Sequence, residues 1–203
     1  MIIQGKRERN KIQCRERILE TSRRMFTSGG YEETTIEEIA EAAEISKATL
    51  YNYFPSKEIL LVGIADAALE ELRNLLETEL REETDCLRKL RRILEELMLD
   101  AMRYLALTRR VLALNVCPES PLHVTRVELL EILSKLTEQA QKAGQLRRDL
   151  PLEELTDSFL QIYLMTAFGW EDLENITAEE CRKRVDRAFD RVLLGVGAQR
   201  GGI

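Results

Sequence analysis

Leu61, Ala65, Ala68, Leu72, Leu76 and Leu80 recur every three or four residues, a spacing that lines one side of an α-helix and fits no strand. The same period governs Leu87, Leu90, Leu94, Leu97, Ala101 and Leu105, and again Cys181, Val185, Ala188, Phe189 and Val192. A chain patterned this way stacks helices. With 10 Gly and 4 Pro in 203 residues it is too poor in turn formers for an all-β fold, and a 44% hydrophobic share is too apolar for disorder.

Local signals divide the pattern into about nine helices. Ile18, Ser22, Met25 and Phe26 make a first helix that stops at Ser28-Gly29-Gly30. Thr35 with Glu38 forms a capping box ahead of Ile36, Ile39, Ala40 and Ala43, and Ser46 caps a third short helix from Lys47 to Phe54, before Pro55. A long fourth helix runs from Lys57 to about Leu80. Thr84 is the expected cap of the next, through Leu105, and Thr108 to Val116 continues helically before a turn bracketed by Pro118 and Pro121. Further helices span Leu122 to Lys142, ending at Gly144, and Leu152 to Trp170. The last is capped by a second box, Thr177 with Glu180, and the tail from Gly195 to Ile203 reads as frayed.

Composition narrows the chemistry. One histidine, His123, excludes sites built from several, and Cys14, Cys86, Cys117 and Cys181 form no metal or redox spacing. They read as reduced thiols of a cytoplasmic protein. No metal or cofactor is expected, and no run approaches the roughly 20 apolar residues of a membrane span. Without a glycine-rich phosphate loop, G-x-S-x-G or H-E-x-x-H, the chain reads as no enzyme. Net charge is −6, yet Lys6 to Arg24 holds eight cations against three anions, a local +5. Contact with phosphate is expected near this end.

Two short helices, Ile36 to Ala43 and Lys47 to Phe54, joined by a tight turn, have the pattern of a helix-turn-helix. Ala40 suits a close crossing, and Ile39, Ile45 and Leu50 fill the space between them. Lys47, Thr49, Tyr51, Asn52 and Tyr53 put hydrogen-bonding groups on the second helix.

Over about residues 12 to 70 the chain resembles the TetR family of bacterial transcriptional repressors. The resemblance rests on Ile18-Leu19, Phe26, Gly30-Tyr31, Thr34-Thr35-Ile36, Ile39-Ala40, Ala43, Ser46 to Tyr51, Tyr53-Phe54 and Ser56 to Leu60. Glu44 departs from it, standing in the turn where the family usually has glycine, so a non-glycine residue is expected to accept positive φ. The resemblance implies an all-α protein with a three-helix helix-turn-helix DNA-binding domain, residues 1–56, and a larger helical effector-binding and dimerisation domain, residues 57–203. It implies DNA contacts at Thr35, Lys47, Ala48, Thr49, Tyr51, Asn52, Tyr53 and Lys57. Thr35 would offer a phosphate its backbone N–H and hydroxyl, Lys47, Ala48, Thr49 and Asn52 would face the major groove, and Tyr53 and Lys57 would clamp the backbone. Tyr51 is divided between core and phosphate. The basic arm, Lys6, Arg7 and Arg9, either enters a minor groove or is a frayed end.

Phe159 to Trp170 is apolar nearly all round a helix and needs two partners, one inside the subunit and one outside. Together with the last helix it suggests a four-helix interface between two copies, the family's usual dimer, through Phe159, Leu160, Tyr163, Leu164, Val185, Ala188, Phe189 and Val192. Candidates for an effector pocket are Tyr104, Leu112, Asn115, Cys117, His123, Tyr163, Thr166 and Phe168, whose apolar bias suits a hydrophobic or aromatic small molecule. The expected function is a homodimeric repressor on a pseudo-palindromic operator, released when that effector binds.

Overall fold

Each helix begins and ends where a local hydrogen-bonding group allows it. The computed structural model describes residues 2–170, 172 and 175–196, with side chains for 5–170, 172 and 175–195. Among them are nine helices and no strand: α1 (Ile2–Gly29), α2 (Ile36–Ala42), α3 (Lys47–Tyr53), α4 (Lys57–Glu77), α5 (Cys86–Arg103), α6 (Leu105–Asn115), α7 (His123–Lys142), α8 (Leu152–Gly169) and α9 (Ala178–Val196). The expected all-α class holds. Residues 197–203, most of the tail read as frayed, lie outside the described residues.

Packing divides the chain into two compact units. The first takes the chain to Ala67 together with Ala106–Thr125, and the second takes Ala68–Leu105 and the chain from Arg126 onward. The division thus falls inside α4, later than the expected 56/57 boundary, and a reason is visible at Gly63. A Cβ placed there would stand 2.6 Å from Phe54 Cε1 and 3.1 Å from Leu19 Cδ2, so glycine lets the start of α4 lie directly on α1 and the end of α3.

In the first unit, Ile18, Leu19, Ser22 and Phe26 form the buried face of α1. Ser22 sits in the core because its hydroxyl donates to the Ile18 carbonyl at 2.6 Å. The Thr35–Glu38 capping box and the Ser46 cap are both formed. Between α2 and α3 the chain makes a Schellman ending: Ile45 N–H bonds the Ala40 carbonyl, Glu44 N–H bonds that of Glu41, and Glu44 takes φ +54°. The same bonds close α7, where the positive φ falls on Gly144. Glu44 therefore carries the strain its position implied. Glu44→Gly is expected to raise stability by up to about 1 kcal/mol, the αL cost of a side chain less glycine's extra unfolded-state entropy, as read by urea denaturation.

The second unit centres on α5, α8 and α9. Leu90, Ile93, Leu94, Leu97, Met98 and Ala101 are buried on α5, and Leu155, Phe159, Ile162 and Tyr163 on α8. Arg91 ties α5 to α9 through Asp186 (2.5 Å) and Asp190 (2.6 Å). Three local expectations change. The cap of α5 is Asp85, not Thr84: its carboxylate accepts from the N–H groups of Leu87 and Arg88 and from Gln145 Nε2 at 2.8 Å. Burial opposes that charge, but those three donors hold the carboxyl below its ordinary range. Leu80 lies beyond the end of α4, and Tyr104, with φ −133°, separates α5 from α6.

Candidate nucleic-acid interface

The second helix of the helix-turn-helix, α3, is held by its inner face. Leu50 and the C-capping Phe54 are buried, which leaves Lys47, Ala48, Tyr51 and Asn52 together on the exposed side. Thr49 is half-buried and engaged with the cap, its N–H on Ser46 Oγ at 3.0 Å and its hydroxyl 2.7 Å from the same atom.

Several of the expected contacts are already occupied. Lys47 is ion-paired with Glu37 of α2 and stands 5.8 Å from the Tyr51 ring. The pairing hydrogen bond holds the Glu37 carboxyl low and the Lys47 ammonium high, so both stay charged at neutral pH. Thr35 gives both its groups to Glu38: backbone N–H and hydroxyl each lie 2.8 Å from Glu38 Oε2. A phosphate there would have to displace that carboxylate. Tyr53 donates its hydroxyl to the Lys11 carbonyl at 3.3 Å, fastening α3 to α1. Lys57 donates to the Glu32 carbonyl at 3.1 Å and lies 4.5 Å from the Tyr31 ring centre. The basic arm is helical, since α1 begins at Ile2.

The Arg110 guanidinium also lies near the Tyr31 ring, 5.3 Å from its centre, and bonds Glu32 at 2.5 Å. Its Nε is buried without a hydrogen-bond partner. Burial, and then Glu32 and Glu58, push the Tyr31 phenol up against the opposing Arg110 charge, which keeps it neutral beside the two cations. Sequence reading missed this cluster, because Glu32 and Arg110 are 78 residues apart and no local spacing joins them.

The effector candidates fall in both units. Leu112, Asn115, Cys117 and His123 belong to the first, and Tyr104, Tyr163, Thr166 and Phe168 to the second. Asn115 and His123 meet, His123 Nδ1 lying 2.9 Å from the Asn115 carbonyl oxygen, and the buried Asn115 Oδ1 lacks a partner. Cys117 is exposed and donates to Glu119 at 3.1 Å. Tyr163 and Thr166 are buried, whereas Phe168 is 52% exposed. A hollow of about 450 Å³ in the second unit, along Val127, Leu130, Ser134 and Leu152, contains none of the eight.

Of the expected interface residues, Phe159, Leu160, Tyr163, Val185 and Phe189 are buried within their own chain, and Leu164, Ala188 and Val192 are half-buried. The outward apolar residues of α8 are Met165 and Phe168.

Residues 18–71, which contain α2, α3 and the turn between them, match the family model of bacterial regulatory proteins of the tetR family. Within those residues the chain carries a TetR-type helix-turn-helix domain. The HTH-type transcriptional repressor KstR of Mycolicibacterium smegmatis is 40% identical over 58 residues, 29% of this chain and 28% of its own length. The nucleoid occlusion factor SlmA of Vibrio vulnificus is 34% identical over 100 residues, 49% of this chain and 51% of its own. The chain thus spans at most about half the length of these curated relatives. A crystal structure of AibR in complex with isovaleryl coenzyme A and operator DNA shares the fold at TM-score 0.61 and 22% identity, covering 89% of this chain and 97% of that one. The family-model match puts the helix-turn-helix on α2 and α3, and no described helix is long and apolar enough to cross a membrane.

Proposed function

We propose that the chain is a ligand-responsive transcriptional repressor that binds a pseudo-palindromic operator as a homodimer. A small hydrophobic or aromatic effector in the C-terminal domain, residues 57–203, releases it. The observation that carries this reading is the exposed face of α3, where Lys47, Ala48, Tyr51 and Asn52 stand together on a capped and buried-backed helix. Lys47 offers donors to guanine O6 and N7, and Asn52 offers an adenine its amide. The Lys47–Glu37 pair opens when a base or phosphate replaces the carboxylate. Thr35, Thr49, Tyr53 and Lys57 complete the proposed contact set, the last two by clamping the DNA backbone.

A dimer supports two such helices at a spacing of about 34 to 36 Å, one helical turn of DNA. The described apolar surface of α8 supports it too. AibR, with the same fold, holds an acyl-thioester ligand and an operator, which favours coupling between an effector and DNA in this chain as well. A coupling of about 1 to 3 kcal/mol, roughly 5- to 150-fold, is enough to switch a repressor. The proposed effector contacts are Leu112, Asn115, Cys117 and His123 in the first unit and Tyr104, Tyr163, Thr166 and Phe168 in the second.

Selection from a random duplex pool with the purified protein tests this. A two-fold symmetric site is expected. Lys47→Ala and Asn52→Ala should each weaken it by about 1 to 3 kcal/mol and relax base preference at one position per half-site. Absence of any enriched sequence overturns the reading.

A further inference from the structure

The helix-turn-helix of this chain is acidic. Between Tyr31 and Ser56 lie Glu32, Glu33, Glu37, Glu38, Glu41 and Glu44, all exposed, against the single cation Lys47. That lysine is itself paired with Glu37. Duplex DNA carries one negative charge per about 1.7 Å of axis, so this surface repels it at range and cannot provide the electrostatic share of binding. Another element of the first unit has to provide it.

The opposite charge lies on α1. This helix is 28 residues long, but its buried face begins only at Ile18. Residues 5–17 are exposed apart from the half-buried Cys14, so more than three turns of helix extend beyond the core. Lys6, Arg7, Arg9, Lys11, Arg15 and Arg17 occupy them, against Glu8 and Glu16. Arg7, Lys11 and Arg15 follow one another at four-residue intervals and form a single stripe, about one charge per 6 Å of helix. Two contacts fix which way the stripe faces. The Lys11 carbonyl accepts the Tyr53 hydroxyl at the end of α3, and the Arg15 guanidinium lies 5.6 Å from the ring of Phe54, the next residue. The basic turns therefore extend from the C-terminal end of the base-reading helix.

We propose that the exposed turns of α1 are a backbone-binding helix for duplex DNA. Through Lys6, Arg7 and Lys11 they engage phosphates flanking the groove that α3 enters, and they supply the counterion-releasing contacts that the acidic helix-turn-helix lacks. Affinity and base selection are then carried by separate helices, and the glutamates around α3 penalise approach wherever base contacts do not compensate. This inference rests on the reading of α3 as a DNA-binding helix.

The test uses the full chain carrying Lys6→Gln, Arg7→Gln and Lys11→Gln together, since glutamine keeps helix propensity at exposed sites. Wild type and variant are titrated with a labelled mixed-sequence duplex and with the selected operator, from about 50 to about 200 mM salt. Because the proposed homodimer carries the three substitutions twice, the slope of log K against log salt is expected to fall by roughly five, with affinity for both duplexes reduced by the same factor. The charge-retaining set Lys6→Arg, Arg7→Lys and Lys11→Arg should restore the slope. An unchanged slope in the glutamine variant, or a loss confined to the operator, overturns the inference while the reading of α3 stands. If the wild type binds neither duplex with a salt dependence, the reading of α3 falls and the inference with it.

Discussion

Phe159→Ala is expected to lower the unfolding free energy by about 3 to 5 kcal/mol. Phe159 on α8 and Phe189 on α9 are both fully buried, with ring centres 5.2 Å apart and planes at 32°. Such a pair is worth about 0.5 to 1.5 kcal/mol beyond the area it removes from water. The Arg91 guanidinium also lies over Phe189, 4.6 Å from the ring centre, and its nitrogens are held by Asp186 and Asp190. Phe189 thus has contacts with α5 as well as α8 that restrain it from filling the space a missing Phe159 ring would leave. The cavity term therefore adds to the transfer term. Urea denaturation at fixed protein concentration measures the loss, with Phe159→Leu as a second variant expected to lose less. A loss under about 1 kcal/mol for the alanine variant would mean that the ring is not the centre of this core.

The same residue marks where sequence reading stopped. Signals that act within a few residues were legible: the Thr35–Glu38 box, the Ser46 cap, the helix ends at Gly30 and Gly144, and the strained Glu44. Each is decided by bonds inside one turn. Thr84 and Asp85 are both good caps, and the choice between them rests on Gln145, 60 residues away. From Phe159 onward α8 is apolar nearly all round, so hydropathy could not say which side meets its own chain. Phe159, Leu160 and Tyr163 went inward, Met165 and Phe168 outward. The side-chain types around α3 were legible as well, but their partners were not. Tyr53 and Lys57 bond the Lys11 and Glu32 carbonyls, contacts that only the folded chain brings together.

Met165→Asp combined with Phe168→Asp is expected to separate the proposed homodimer, weakening self-association at least 100-fold and taking operator binding with it. Single exposed apolar residues are ordinary, and a nearly naked methionine alone would need no explanation. Here Met165 is 68% and Phe168 52% exposed, three positions apart on a helix whose other side is core, with the half-buried Leu164 beside them. On α9, Leu194 is 89% exposed. In a two-fold interface each substitution occurs twice, so the double variant places four carboxylates against apolar surface, each losing hydration worth several kcal/mol. The fold should survive, because both positions face solvent in the protomer and α8 keeps its buried residues. Operator affinity should fall further than association does, since one half-site alone approaches the nonspecific range of about 10⁻⁴ to 10⁻⁶ M. Sedimentation across a concentration series, paired with operator titration, reads both quantities. A variant that stays dimeric, or a wild type that is monomeric where it binds operator, would move the interface off this side of α8.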